Sequence, residues 1–406
     1  MQIFYGWRIA AAGAGLQFLY SALLLQAFGA YVAVLSEELG WSKTVLASGA
    51  ALQSVEGALI GPLLGWMIDR LGPRVMVRAG VLALSLGLFV LSRIETLGGF
   101  YAAMLITAVG SSLCGYFPLS VAIMHFFNRR RARALSLMTL GLAAGGIAVP
   151  LVSWAMQTFG WRSTALGSAV VTLALGWPLA SVVRRNPMEV GARIDGAGTP
   201  SDPAQPATPG SAPSRDFTAA EALRTQAFWM LGIGHALALL IVTAVNVHAI
   251  SHMKEGLGYT LGEASVVITL MMAAQAGGLL LGAAVGDRWN KRYVAAACML
   301  AHMVGLLMLT FAVHRSMVLA FALFHGGAWG LRHPFMQALR ADYFGLKSIG
   351  MILGLSAAII ATGQVAGPMV AGMGADATGA YRSAFVLLAL LAGCGAWMFL
   401  AARKPV

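Results

Sequence analysis

The stretch that decides the fold is Gly65-Trp66-Met67-Ile68-Asp69-Arg70-Leu71-Gly72-Pro73-Arg74, or GWMIDRLGPR. It ends one long apolar run, sets an Asp-Arg pair at its edge, turns on Gly72-Pro73 and opens the next apolar run. A partial second copy, Asp287-Arg288-Trp289-Asn290-Lys291-Arg292, places its aspartate 218 residues after Asp69. Leu39-Gly40-Trp41-Ser42 recurs as Leu257-Gly258-Tyr259-Thr260, and Pro150 as Pro368, at the same offset of 218. The chain is a duplicated unit of roughly two hundred residues, and repetition of this kind governs every later reading.

Composition names the solvent. Apolar residues make up 59% of the 406 positions and charged ones 10%, against about 25% charged in a soluble domain. Apolar runs of ~20 residues follow one another, each long enough to cross hydrocarbon as a helix that satisfies its own backbone. A large soluble helical bundle cannot accommodate so many charge-free runs. The sequence predicts an all-α polytopic membrane protein of twelve transmembrane helices in two pseudo-symmetric six-helix bundles, 1–185 and 225–406. The spans run from Ile9–Leu35 to Ser383–Ala401 and include Val45–Ile68 as the second, Met317–Leu339 as the tenth and Gly350–Met373 as the eleventh. Residues 186–224 join the halves. Asn186 to Arg215 holds six prolines among Gly, Ser, Ala and Thr, which reads as a flexible linker. Thr218-Ala219-Ala220-Glu221 then opens a short helix with a capping-box pattern.

Lysine and arginine set the orientation. With both termini cytoplasmic, twenty of the 27 basic side chains fall inside, six outside and one, Arg332, within a span. The positive-inside rule predicts a multi-pass protein of the cell (inner) membrane with that topology. The net charge of +12 is thereby topological, and nucleic acid is not needed to explain it. Cys114, Cys298 and Cys394 all lie in apolar runs and read as packing residues. No metal site, cofactor motif, nucleophile–base pair or phosphate loop stands out, so an enzyme is not expected.

Ionisable groups inside spans are expensive and usually mark function. Glu56 is the one mid-span carboxylate, near the middle of span two, and can carry a coupling proton; a protonated glutamate hydrogen-bonded to a neighbouring helix is the other reading. Arg332 shares one face of span ten with His325, Trp329, His333 and Met336. Its planar fork of donors suits a carboxylate, and Trp329 can stack on it or on a substrate. An ion pair with Glu56 is the competing role. Tyr20 and Tyr31 share a face of span one, His235 and Asn246 a face of span seven, while Tyr116 lies on span four and Gln275 on span eight. His248, His302 and His314 read as structural or interfacial.

The loop GWMIDRLGPR resembles the signature between helices two and three of the major facilitator superfamily, and its weaker copy stands where that superfamily repeats it. More narrowly, the chain resembles the bacterial monocarboxylate-porter and oxalate/formate-antiporter grouping. Tyr5-Gly6-Trp7-Arg8, Leu39-Gly40-Trp41-Ser42, Glu221 to Trp229 (EALRTQAFW), Ala341-Asp342-Tyr343-Phe344-Gly345 and Gly363 to Pro368 (GQVAGP) carry that likeness. The resemblance implies a major facilitator fold, a central cavity lined by helices one, four, seven and ten, and transport by alternating access. It leaves a static charged loop as the alternative to a gate made of Gly65, Asp69, Arg70, Gly72 and Arg74, with Arg129–Arg133 nearby, and of Asp287, Arg288 and Arg292. Ala283 and Asn290 replace the glycines in the second copy.

The sequence also departs from those relatives. An arginine expected in helix eight is Leu279 here, and the helix-eleven lysine of the oxalate/formate exchanger has no counterpart between Gly350 and Met373. A dicarboxylate exchanger is thus disfavoured. The resulting expectation is a monomeric, proton-coupled secondary transporter of a small organic anion such as a monocarboxylate, its partners being substrate, bilayer and protons. An exporter of a hydrophobic or cationic compound, with Glu56 as binding carboxylate, is the alternative. A receptor or scaffold would need an output domain that the short loops do not supply.

Overall fold

The computed structural model describes residues 4–196 and 216–405; the side chains of residues 43, 44, 47, 50–59, 196 and 285 stand outside that description. Among the described residues the chain forms twelve helical rods and no strand. In order they are α1 (Tyr5–Leu39), α2 (Lys43–Leu71), α3 (Pro73–Leu91), α4 (Leu97–Phe126), α5 (Arg131–Phe159), α6 (Trp161–Val182), α7 (Gln226–Leu257), α8 (Leu261–Val285), α9 (Lys291–Thr310), α10 (Arg315–Phe344), α11 (Ile349–Thr378) and α12 (Arg382–Ala401). Ten are long and apolar enough to cross a membrane. The other two are α2, part of whose side chains lie outside the description, and α10, which carries His325, Arg332, His333 and Arg340.

The duplication is visible in the register. Rods begin at 43 and 261, 73 and 291, 97 and 315, and 131 and 349, each pair 218 residues apart. The caps repeat as well. Gly40 (φ 67°) and Gly258 (φ 71°) end α1 and α7 in the left-handed conformation, where a Cβ would be strained. Ser42 accepts from Val45 N at 3.3 Å, while Thr260 and Glu263 form a full capping box at the equivalent place.

The chain divides into two compact units. In the first, Met1–Ala212 with Ile349–Gly354, three rods break mid-length. Rod α1 loosens to a π-turn at Ser21–Leu25, α4 is interrupted at Gly115, and α5 tightens to a 3₁₀ turn at Gly146–Ala148 before Pro150. The breaks in α1 and α5 meet, for Ser21 Oγ donates to Leu142 O at 2.7 Å. Such irregular backbone is tolerated at membrane depth only inside protein or beside a cavity, and it recurs at functional sites.

In the second unit, Pro213–Ser348 with Leu355–Val406, the rods run unbroken. Here α8 lies along α10 by close backbone approach: a Cβ on Gly326 or Gly330 would collide with the carbonyls of Met271 or Gln275. Lipid supplies no hydrophobic drive between helices, so small residues of this kind let van der Waals contact hold the bundle.

The tenth rod outruns its predicted span. The span Met317–Leu339 is a helix from Arg315 to Phe344, because Gln-Ala-Leu-Arg-Ala are all strong helix formers and nothing stops the rod before Gly345 (φ 74°). Both described ends of the joining segment are folded against a loop. Asp195 accepts from Asn128 N and Arg129 N at 3.0 and 2.9 Å, and Asp216 accepts from Leu346 N and Lys347 N at 2.8 and 3.4 Å. The two loops are again 218 residues apart. The capping box read at Thr218 is present, with Thr218 N donating to Glu221 at 2.8 Å and Glu221 N to Thr218 Oγ1 at 3.3 Å. Most of the proline-rich stretch, residues 197–215, lies outside the described residues.

Candidate functional site

Polar groups inside the second unit collect on α10. Arg332 is fully buried, and its three guanidinium nitrogens make no hydrogen bond among the described residues. It stands within electrostatic reach of His235 on α7, Cys298 and His302 on α9, and His325 and His333 on its own rod, with no carboxylate among them. Trp329 and His333, one helical step round from Arg332, are half-buried, as is Gln337. The face expected to present His325, Trp329, Arg332 and His333 together therefore has two parts. His325 and Arg332 are fully buried, and Trp329 and His333 are only half-buried.

Two members of the cluster were not among the sequence candidates. Arg340, which falls just past the expected tenth span, is inside α10 and 1% exposed. Arg340 donates to Met336 O at 3.2 Å and Leu231 O at 3.3 Å, and lies 3.3 Å from His235 Nδ1. Its spacing of seven and eight from His333 and Arg332 was the available signal. His302, set aside as structural, stacks edge-on against His325 with Nδ1 to Nδ1 at 3.1 Å, one ring donating and the other accepting. Neither Nε2 has a partner among the described residues.

The remaining candidates scatter. His235 is buried against Arg340, whereas Asn246, nominally on the same face of α7, is exposed. Gln275 is half-buried, its carbonyl against Gly330. In the first unit Tyr31 is buried beside Ser168, while Tyr20 and Tyr116 are half-buried at the breaks of α1 and α4. Glu56 lies in α2, and its side chain lies outside the described residues.

The loop signature is resolved in detail. The Asp69 carboxylate accepts from Gly350 N at 3.0 Å and Met351 N at 2.9 Å, the first free amides of α11. A carboxylate there satisfies orphan donors and meets the positive end of the helix dipole. Asp69 is thus held by a helix start. Arg70 lies over the Trp66 ring at 4.9 Å, and Arg185 donates to the Asp69 carbonyl at 2.8 Å. A Cβ on Gly65 would stand 2.5 Å from Gly350 O, so glycine is required for the approach. Gly61-Pro62-Leu63-Leu64-Gly65 and Gly350-Met351-Ile352-Leu353-Gly354 are both small-xxx-small strings, the pattern that lets helices cross closely. In the second copy Lys291 pairs with Asp342 at 2.7 Å, Arg292 donates to Ala402 O at 3.3 Å and Tyr293 Oη at 3.2 Å, Asp287 is half-buried and Arg288 is exposed.

A duplicated helical bundle with broken rods in one unit and, in the other, an enclosed cation that no carboxylate meets among the described residues defines a membrane transporter. The chain belongs to the Major Facilitator Superfamily, whose family model matches residues 14–248 and 231–406. It is similar to monocarboxylate transporter 13 of Bos taurus, at 23% identity over 405 residues covering 96% of this chain and 88% of that one. It is also similar to the Fujikurins efflux protein of Gibberella fujikuroi, at 30% identity over 112 residues covering 24% and 23%. Among solved structures the fold matches the E. coli fucose:proton symporter FucP, with a TM-score of 0.71 at 16% identity, covering 98% of each chain.

Proposed function

We propose that this chain is a proton-coupled secondary transporter of a small organic anion, a monocarboxylate, working by alternating access with both termini cytoplasmic. The observation that carries the reading is Arg332, a fully buried guanidinium with no hydrogen bond and no neighbouring carboxylate among the described residues. A cation so placed is costly unless an anion meets it. A planar carboxylate matches its fork, with the half-buried Trp329 and His333 on the path to it. Similarity to a protein named as a monocarboxylate transporter supports the substrate class. Asp69 at the start of α11 is the gate in this reading, a contact made in one state and released in the other. Two carriers are available for the proton, the Glu56 carboxyl and the His302–His325 pair.

The test is uptake of radiolabelled monocarboxylates into proteoliposomes with and without an inward proton gradient. Gradient-stimulated uptake is expected in the wild type, with KM rising at least ten-fold in Arg332→Gln and partly restored in Arg332→Lys. Loss of gradient dependence in Glu56→Gln or in His325→Gln identifies the carrier. Export of a hydrophobic or cationic compound is the second reading, its direction favoured by the likeness to an efflux protein. Wild-type protein that moves no acid but expels such a compound in a Glu56-dependent way overturns the first.

A further inference from the structure

The outer face of the second unit carries a groove of about 710 Å³ between α8, α9 and α10. Its floor is made of small residues, Gly277, Gly278, Ala301 and Ala328 among them, and its rims are the exposed Leu281 and Phe324. One end changes character. Arg288, Trp289, Asn290 and Tyr293 close it, with Trp289 47% and Tyr293 54% exposed. Trp289 and Asn290 also line a second hollow of about 450 Å³ that continues past that end and holds Lys291, Arg292 and Lys404. Lys291 is occupied by Asp342 and Arg292 by Ala402 O. Arg288 and Lys404 are exposed and make no hydrogen bond or ion pair among the described residues. An apolar trough thus runs into an aromatic collar and then into unpaired positive charge.

The first copy of the loop has no such end. The residues matching Trp289, Asn290 and Tyr293 are Leu71, Gly72 and Val75, and those matching Gly277 and Gly278 are Leu59 and Ile60. Gly72 is covered by the side chain of Arg185, whose Cδ is 3.3 Å from a Cβ built there. Two changes, a floor cut down to glycine and a collar built of Trp and Tyr, set the second copy apart, and they stand beside the exposed Arg288 and Lys404. Aromatic rings of this kind settle at headgroup level, and basic hollows between helices on the cytoplasmic side recognise anionic headgroups.

We propose that the groove between α8, α9 and α10 is a binding site for an anionic glycerophospholipid. One acyl chain lies along the glycine and alanine floor, and the phosphate sits at the Trp289–Asn290 junction against Arg288 and Lys404. The site is independent of the transported solute. Each cation near the headgroup is worth about five-fold in affinity.

The experiment places the full-length protein in phosphatidylcholine nanodiscs with rising phosphatidylglycerol, and reads lipid adducts by native mass spectrometry and unfolding midpoint by heating. The wild type is expected to hold one phosphatidylglycerol at least five-fold more tightly than phosphatidylcholine and to gain thermal stability from it. The Arg288→Gln/Lys404→Gln pair loses the preference. Ala301→Trp, which fills the trough without touching charge, loses the adduct while keeping its midpoint in phosphatidylcholine. Should that variant not fold, Ala297→Phe, at an exposed position of the same groove, repeats the measurement. A phosphatidylglycerol preference retained in both kinds of variant means diffuse annular binding and overturns the site, as does a groove adduct indifferent to headgroup charge.

Discussion

The two copies of one loop have been put to different uses. In the first, Gly65 lets backbone meet backbone and Asp69 holds the opening amides of α11. In the second, the residue matching Gly65 is Ala283, Lys291 and Arg292 are tied to Asp342 and to Ala402 just past the last helix while Arg288 is left exposed, and the turn carries Trp289 and Tyr293. The same Asp-Arg core therefore serves a close helix crossing at one place and an exposed aromatic and basic surface at the other. What separates them is the residue size four positions before the aspartate and the turn residues after it; the charge itself is shared.

The sharpest break in that comparison is Gly65→Val against Ala283→Val. The first drives a side chain into the Gly350 carbonyl, and overpacking of this kind costs about 1–3 kcal/mol; its unfolding midpoint should fall well below that of the second in the same detergent. Next comes Asp69→Asn, which keeps one acceptor but discards the charge facing the helix start. About 1.4 kcal/mol of local stability lost corresponds to ten-fold faster opening, so hydrogen–deuterium exchange should quicken by roughly that factor at Gly350 and Met351 and stay unchanged at Val294. Gly40→Ala and Gly258→Ala test where the copies still agree. Both caps are left-handed, and each substitution should cost about 1 kcal/mol by thermal unfolding; unequal losses would show the repeat to be less symmetric than its backbone. Lys291→Met is the smallest change. A partly exposed ion pair contributes about 0.5–1 kcal/mol, and a larger loss would mean that the Asp342 contact holds the second loop as firmly as the helix start holds the first.

Much of the fold was written in periodicity. Hydrocarbon demands helices, and a fixed offset between markers demands duplication, so rods and their starts could be read to within a few residues. The end of α10 could not, because Arg340 and Asp342 look like loop charges until the rod is seen to continue through them. The loop signature was half legible: Gly65 and Asp69 were picked out, yet the partner of Asp69 is main chain 281 residues away, and backbone amides leave no mark in a sequence. The candidate site divides in the same way. Arg332 announced itself by being charged inside a span. The pairing of His302 with His325 depends on how α9 and α10 are rotated, which a helical wheel for one rod does not fix. Asn246 parted from His235 for that reason as well.

The paired aspartates at the two ends of the joining segment bear on how the gene could be divided. Each half carries its own stopper, Asp195 on the Asn128–Arg129 loop and Asp216 on the Leu346–Lys347 loop. A cut placed between those two residues would leave all twelve described rods and both stoppers intact. The chain thus lends itself to expression as two separately encoded polypeptides divided between those two aspartates.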